Sequence, residues 1–175
     1  MTAKVILSSK SIIGANALIS VDGIKNVPAK IDTGADSSAI WVSDVEVLKN
    51  NHLSFKLFGP KSPFYTGKTI ETKDYKVVVT RSSHGDEKIF YRTFLPIVLG
   101  GRQIRTLFTL ADRSHNNFPV LIGKRTIRGK FIVDVAKKAV IPKKNPKSNH
   151  LNQELKKNPY QFHQKYIKNN KGIKK

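Results

Sequence analysis

No cysteine occurs among the 175 residues, which excludes disulfides, thiolate zinc sites and cysteine nucleophiles. No stretch approaches the roughly 20 consecutive apolar residues that a membrane-spanning helix needs. The opening residues Met1 to Lys10 lack an apolar core followed by a small-residue cleavage site, and the apolar patch Ile12 to Ile19 is broken by Gly14 and Asn16. The expectation is a cytoplasmic chain with no membrane partner. A His-Glu-x-x-His helix and a G-x-x-x-x-G-K-S/T phosphate loop are both missing, and His52, His84, His115, His150 and His163 are scattered. No metal and no other cofactor is therefore expected. Acids are scarce as well, at 12 Asp+Glu against 32 Lys+Arg, a formal net charge of +20. Such a field draws in polyanions, whether nucleic acid, anionic lipid or an acidic polypeptide.

Hydrophobic residues make up 39% and charged residues 25%, a globular balance, and the length suits one domain with appendages. A composition shift places the boundary at residues 141 and 142. From Pro142 to Lys175 there are ten lysines and a single acid, Glu154, so this tail carries +9 and the rest of the chain +11. Few large apolar residues follow Ile141, and the spacing predicts a basic tail over 142–175 that is disordered or at most weakly helical.

Before Pro142 helical periodicity is nearly absent and β signals dominate, so the class is all-β. Short strands are expected at Lys4 to Leu7, Ala17 to Val21, Ala29 to Ile31, Ser37 to Val42, Lys76 to Thr80, Ile89 to Leu99, Gln103 to Leu110, Pro119 to Ile122, Phe131 to Val135 and Ala139 to Ile141. Gly100-Gly101 is a two-residue hairpin signal, a short helix is expected near Arg125, and Asn50 to Thr69 reads mostly as loop. Strands this short and this regularly punctuated suggest a small closed barrel.

The chemistry concentrates at Asp32-Thr33-Gly34, which follows the apolar strand ending at Ile31. An isolated Asp-Thr-Gly is usually a turn, since Asp accepts nearby backbone N–H bonds and Gly takes unusual dihedrals. At the end of an apolar strand, however, the same residues place a carboxylate where the Gly34 amide can bond it and leave the Thr33 hydroxyl to bond across a symmetric interface. Neither Asp22, Asp112 nor Asp134 has such a setting, so one chain holds half of any two-carboxylate site.

Ile31-Asp32-Thr33-Gly34-Ala35-Asp36-Ser37-Ser38 resembles the active-site loop of the retropepsins, and Val120-Leu121-Ile122-Gly123-Lys124-Arg125 resembles the apolar-apolar-Gly-Arg segment that follows it in those enzymes. Arg81-Ser82-Ser83-His84-Gly85, Arg92-Thr93, Leu99-Gly100-Gly101-Arg102, Phe118 to Gly123 and Gly129 to Asp134 are similar to a bacterial retropepsin-like family often labelled "ATP-dependent zinc protease" or "RimK/LysX family protein". The resemblance covers residues 29 to 141. It implies a small acid-protease barrel with a flap hairpin, working as an obligate homodimer on a peptide or protein substrate. It further implies that Asp32, Thr33 and Gly34 carry catalysis, that Ala35, Asp36, Ile122 and the flap tip Arg81, Ser82, Ser83, His84 and Gly85 contact substrate, and that Gly123 and Lys124 support the loop. Lys124 stands where the family's usual residue is Arg, so a planar two-pronged grip becomes a point charge, with Asp36 as its expected partner. The zinc and ATP labels find no matching residues. The family's association with glutamate-ligase names, together with the positive field, points to an acidic substrate.

A rival from another class is a retropepsin-fold binding module with inactive carboxylates, docked on RNA or ribosomes through its Lys-rich tail. Arg81, Arg92, Arg102 and Arg105 could line a track for acidic groups, but alternating strand arginines more often form a solvated face. Trp41 and Phe55 read as core or dimer-contact residues.

Overall fold

The computed structural model describes residues 10–81, 87–139 and 148–168. The chain divides into two compact units, Met1–Val140 and Ile141–Lys175. The described strands of the first are β1 (Ser11–Gly14), β2 (Asn16–Val21), β3 (Ile24–Asp32), β4 (Ser38–Val47), β5 (Leu53–Leu57), β6 (Thr69–Thr72), β7 (Tyr75–Arg81), β8 (Glu87–Leu99), β9 (Arg102–Ala111), β10 (Val120–Gly123) and β11 (Phe131–Asp134), with a one-turn helix α1 (Lys124–Ile127) after β10.

Six of these strands close on themselves in the order β10, β3, β2, β8, β9, β4 and back to β10. Strict alternation makes that closure possible. Thr93, Leu95, Ile97 and Leu99 of β8 point inward and are buried, whereas Phe94, Pro96 and Val98 between them are exposed. Thr106, Phe108 and Leu110 of β9 and Val27, Ala29 and Ile31 of β3 fill the same interior. Each large apolar side chain removed from water there contributes roughly 1.5–3 kcal/mol, and closure leaves the ring no edge to protect. At the β8–β9 turn, Gly100 (φ +55°) and Gly101 (φ +77°) adopt consecutive positive φ, the geometry a two-residue hairpin needs to match strand twist.

Two strands fall where the punctuation reads as loop or turn. β5 lies inside the expected loop 50–69, pairing with β4 and β6; Leu53, Phe55 and Leu57 are buried. β1 lies between the strands expected at Lys4 to Leu7 and Ala17 to Val21, in a Ser/Gly stretch that reads as a turn, and pairs in parallel with β11, Ser11 opposite Phe131. The strand expected at Lys4 to Leu7 lies outside the described residues. Ala139 carries no strand, and the rest of the strand expected at Ala139 to Ile141 lies outside them.

In the second unit, the stretch expected to be disordered or weakly helical is helical at every described residue except Asn158: α2 (Ser148–Lys157), α3 (Pro159–His163) and a final turn at Gln164–Lys168. Its local chemistry explains this. The Asn158 side chain accepts the Gln161 N–H at 3.0 Å and Pro159 supplies the preset first helical φ, so the corner between α2 and α3 is capped. Phe162 and Tyr166 then pack ring to ring at 4.8 Å. No described helix is long and apolar enough to cross a membrane.

Candidate active site

β3 and β4 are consecutive in sequence, yet β10 runs between them. It is parallel to β3, with Ile122 opposite Ile31 and Gly123 opposite Asp32, and antiparallel to β4, with Val120 opposite Ile40. The loop 33–37 must therefore arch over the end of β10. Gly123 is what permits the arch: a Cβ there would sit 2.5 Å from the Ser37 carbonyl oxygen and 2.9 Å from that of Ala35. Only a residue without a side chain lets the loop come this close to the strand.

At the end of β3 the Asp32 carboxylate is fixed by its own loop. Its Oδ1 accepts the Gly34 N–H at 3.0 Å and the Ala35 N–H at 3.2 Å. Oδ2 accepts neither of these amides, and Lys30 Nζ lies 3.9 Å from it. The Asp32 side chain is 27% exposed, so the carboxyl is reachable, and Thr33 and Gly34 beside it are exposed.

A second layer of bonds holds the loop from beneath. The first amides of α1 would be orphaned by helix geometry, but Lys124 N–H donates to Ala35 O at 2.7 Å and Arg125 N–H to Asp36 O at 3.2 Å. Lys124 Nζ also lies 2.8 Å from Asp36 Oδ1. The hydrogen bond from Lys124, helped by its positive charge, holds the Asp36 carboxyl below the usual carboxylate range. Deeper still, Ser38 Oγ accepts the Gly123 N–H at 3.1 Å and shares a hydrogen bond with Thr126 Oγ1 at 2.8 Å, all buried. One hydroxyl pair thus ties the start of β4, the end of β10 and α1 together directly under Asp32.

The structure brings Asp32, Thr33, Gly34, Ala35, Asp36, Gly123 and Lys124 into one loop assembly. Ile122 is different. It is wholly buried and belongs to the core, because the alternation of β10 turns it inward; it supports the site and does not line it. β7 and β8 form the hairpin placed between the two motifs, in register from Tyr75 opposite Thr93 to Arg81 opposite Glu87. Arg81 closes β7, and the tip residues Ser82, Ser83, His84 and Gly85 lie outside the described residues. Val77, Val79 and Ile89 share one face of that hairpin and are 57%, 54% and 66% exposed, an apolar face where the tip sequence is polar. The strand arginines are partly committed elsewhere: Arg105 pairs with Asp74 at 3.0 Å and stacks on Phe94 at 4.9 Å, and Arg92 Nε donates to Thr109 Oγ1 at 3.0 Å. Phe55 is fully buried, and Trp41 packs edge-on against Phe58 at 6.5 Å. Among the described residues no group of three or more His, Asp or Glu side chains could hold a metal ion.

Lys30, Ser38 and Thr126 are site residues that sequence reading missed. Ser38 falls on an inward position of the strand that resumes after the loop, and a small hydroxyl there was a usable signal. Thr126 gave none, since its meeting with Ser38, 88 residues away, exists only through the placement of β10.

A family model described as "RimB-like: Retropepsin-like aspartic endopeptidase RimB" matches residues 12–144. Neither the zinc and ATP dependence nor the RimK/LysX label is confirmed by that match. No curated protein matches the chain. Among solved structures, a protein of unknown function from Legionella pneumophila subsp. pneumophila superposes with a TM-score of 0.59 at 20% identity, over 74% of this chain and 97% of that one. At that identity the likeness speaks for the fold.

Proposed function

Because the chain belongs to the RimB-like family of retropepsin-like aspartic endopeptidases, we propose that it hydrolyses peptide bonds as a homodimer in which two copies of Asp32 face one substrate. The observation that carries this reading is the fixation of Asp32 Oδ1 by two backbone amides at a strand end, with the carboxyl partly open to solvent. A carboxylate held that firmly has one orientation to offer, which is what proton transfer to and from a positioned group demands. One chain supplies one such carboxyl, so in this reading the second comes from a symmetry-related copy and the Thr33 hydroxyl bonds across the seam; the exposure of Thr33 supports this.

Two carboxyls about 3 Å apart do not both stay ionised; the pair holds one proton and titrates as a unit. The ionised member takes a proton from a water held between them as that water attacks the scissile carbonyl. The protonated member gives its proton to the carbonyl oxygen; as the resulting diol collapses and the C–N bond breaks, the amine takes the proton gained from water and a diol hydroxyl returns its proton to the other carboxylate, so the pair again holds one proton. The β7–β8 hairpin closes over the substrate and excludes water, its apolar face of Val77, Val79 and Ile89 toward the peptide. The +11 carried by residues 1–141 favours substrates with acidic residues.

Sedimentation combined with a peptide-library digest of the wild type and Asp32→Asn tests the reading. Cleavage by a dimeric wild type and none by an equally folded, equally dimeric variant is expected. A strictly monomeric protein, or one whose cleavage survives Asp32→Asn, defeats it. Comparing acidic with neutral peptides at low salt tests the substrate class, and indifference to charge removes that part alone.

A further inference from the structure

The second unit spends its only acid on itself. Glu154 Oε1 accepts from Lys165 Nζ at 2.7 Å and Oε2 accepts from the Tyr166 hydroxyl at 3.0 Å. The hydrogen bond from Lys165 leads in holding the Glu154 carboxyl below its usual range, so this group is an anion already committed to its own unit. Phe162 and Tyr166 are likewise engaged with each other. Exposed at the corner between α2 and α3 are Lys156 and Lys157 at the end of α2, and Tyr160 just past the Asn158 cap, 72% exposed. Lys156 and Lys157 form no ion pair among the described residues, and the capped Asn158-Pro159 corner fixes where all three sit.

From this arrangement we infer that Lys156, Lys157 and Tyr160 form a contact site for single-stranded nucleic acid, with a base stacked on the Tyr160 ring and phosphates on the two ammonium groups. Stacking on a tyrosine needs a base that is not already stacked in a duplex, and sequence-tolerant single-strand sites combine lysines along the backbone with such a ring. The ten lysines of the unit against one internally neutralised acid supply the field that concentrates a polyanion there. An anionic membrane fits less well. A helix lying in an interface needs a broad apolar face, and the exposed large hydrophobic residues described in this unit are only Leu155, at 39%, and Tyr160. An acidic polypeptide would satisfy the lysines but leave the ring without a role.

The test uses the full chain and a fluorescein-labelled oligouridylate, with anisotropy followed over a salt series. Lys156→Gln combined with Lys157→Gln is expected to flatten the plot of log affinity against log salt by about 1.4, two phosphate contacts at about 0.7 each. Tyr160→Ala is expected to weaken binding roughly 5- to 150-fold with the slope unchanged, the loss of one stacked base. Both variants change exposed side chains, and equal helicity by circular dichroism confirms that the unit is intact. Asp32→Asn should bind as the wild type does, which keeps this result separate from the peptidase reading. Wild-type affinity in Tyr160→Ala overturns the site, as does equal competition by a duplex, by phosphatidylserine vesicles or by polyglutamate. Unchanged binding in all tail variants would assign the interaction to the barrel's own charge and also overturn it.

Discussion

Removing the Ser38 hydroxyl is the sharpest probe of how the Asp32 loop is held. In Ser38→Ala the buried Gly123 N–H, now 3.1 Å from an acceptor, loses its partner, and Thr126 Oγ1 loses its neighbour at 2.8 Å. Ser38 is 1% exposed and Thr126 7%, so water does not simply replace what is lost. A buried donor left unpaired costs about 1–3 kcal/mol and the second broken hydrogen bond about 1 kcal/mol, so the variant should lose about 2–4 kcal/mol. Thr126→Val leaves the Ser38 to Gly123 bond in place and should lose less, about 1–2 kcal/mol. Because both changes act on one network, the double variant should fall short of the sum by at least about 0.5 kcal/mol. Urea unfolding at one fixed protein concentration measures all three, with an unchanged m-value as the sign that compactness is the same. A Ser38→Ala loss below about 0.5 kcal/mol, the range of an ordinary surface change, would refute the argument that this hydroxyl pair braces the loop.

Other outcomes follow from the same geometry. Gly123→Ala should cost at least about 1–3 kcal/mol and remove most peptidase activity, because its Cβ meets a backbone carbonyl that can yield only by moving the loop; denaturation and a peptide digest check both, and a fully active variant would contradict the close approach. Thr106→Val should stabilise the barrel by about 1 kcal/mol in urea, since Thr106 Oγ1 is buried with no hydrogen-bond partner among the described residues and valine keeps the shape; a loss would mean the hydroxyl has a partner after all. Asp36 should titrate by carbon-detected NMR below its ordinary value of 3.8, and Lys124→Ala should bring it back up. The sign for stability follows from that depression: the Asp36–Lys124 pair contributes above the unfolded value of 3.8 and its contribution disappears as pH falls through the lower native one. Titration of native Asp36 at or above 3.8 would show that the pair does not form in solution.

Legibility varied with how local the cause was. The long alternating runs of β8 and β9 and the Gly100-Gly101 turn between them depend on a period of two and on positive φ, both written into neighbouring residues. The one-turn helix at Lys124–Ile127 was likewise expected near Arg125. The sequence around β5 reads as loop because Asn50-Asn51, Gly59-Pro60 and Ser62-Pro63 surround it, and what makes Leu53–Leu57 a strand is pairing with β4 and β6 and burial of its apolar side chains. The family resemblance implies a substrate contact for Ile122 from its place in a motif, but its side-chain direction belongs to the strand, which turns it into the core. In the tail, lysine and asparagine content masked a helix cap and an internal acid–lysine–tyrosine knot.

The amino-acid order by itself determined the β class, the strand that ends in Asp32-Thr33-Gly34 and the presence of only one such carboxylate per chain, because those are properties of nearest neighbours and of counting. The tertiary structure decided that β10 enters between β3 and β4, and so set Gly123 against the loop and Ser38 against Thr126. The physical reason is that hydrogen-bond partners in a sheet are chosen by closure of the whole barrel, an event no local window of residues encodes.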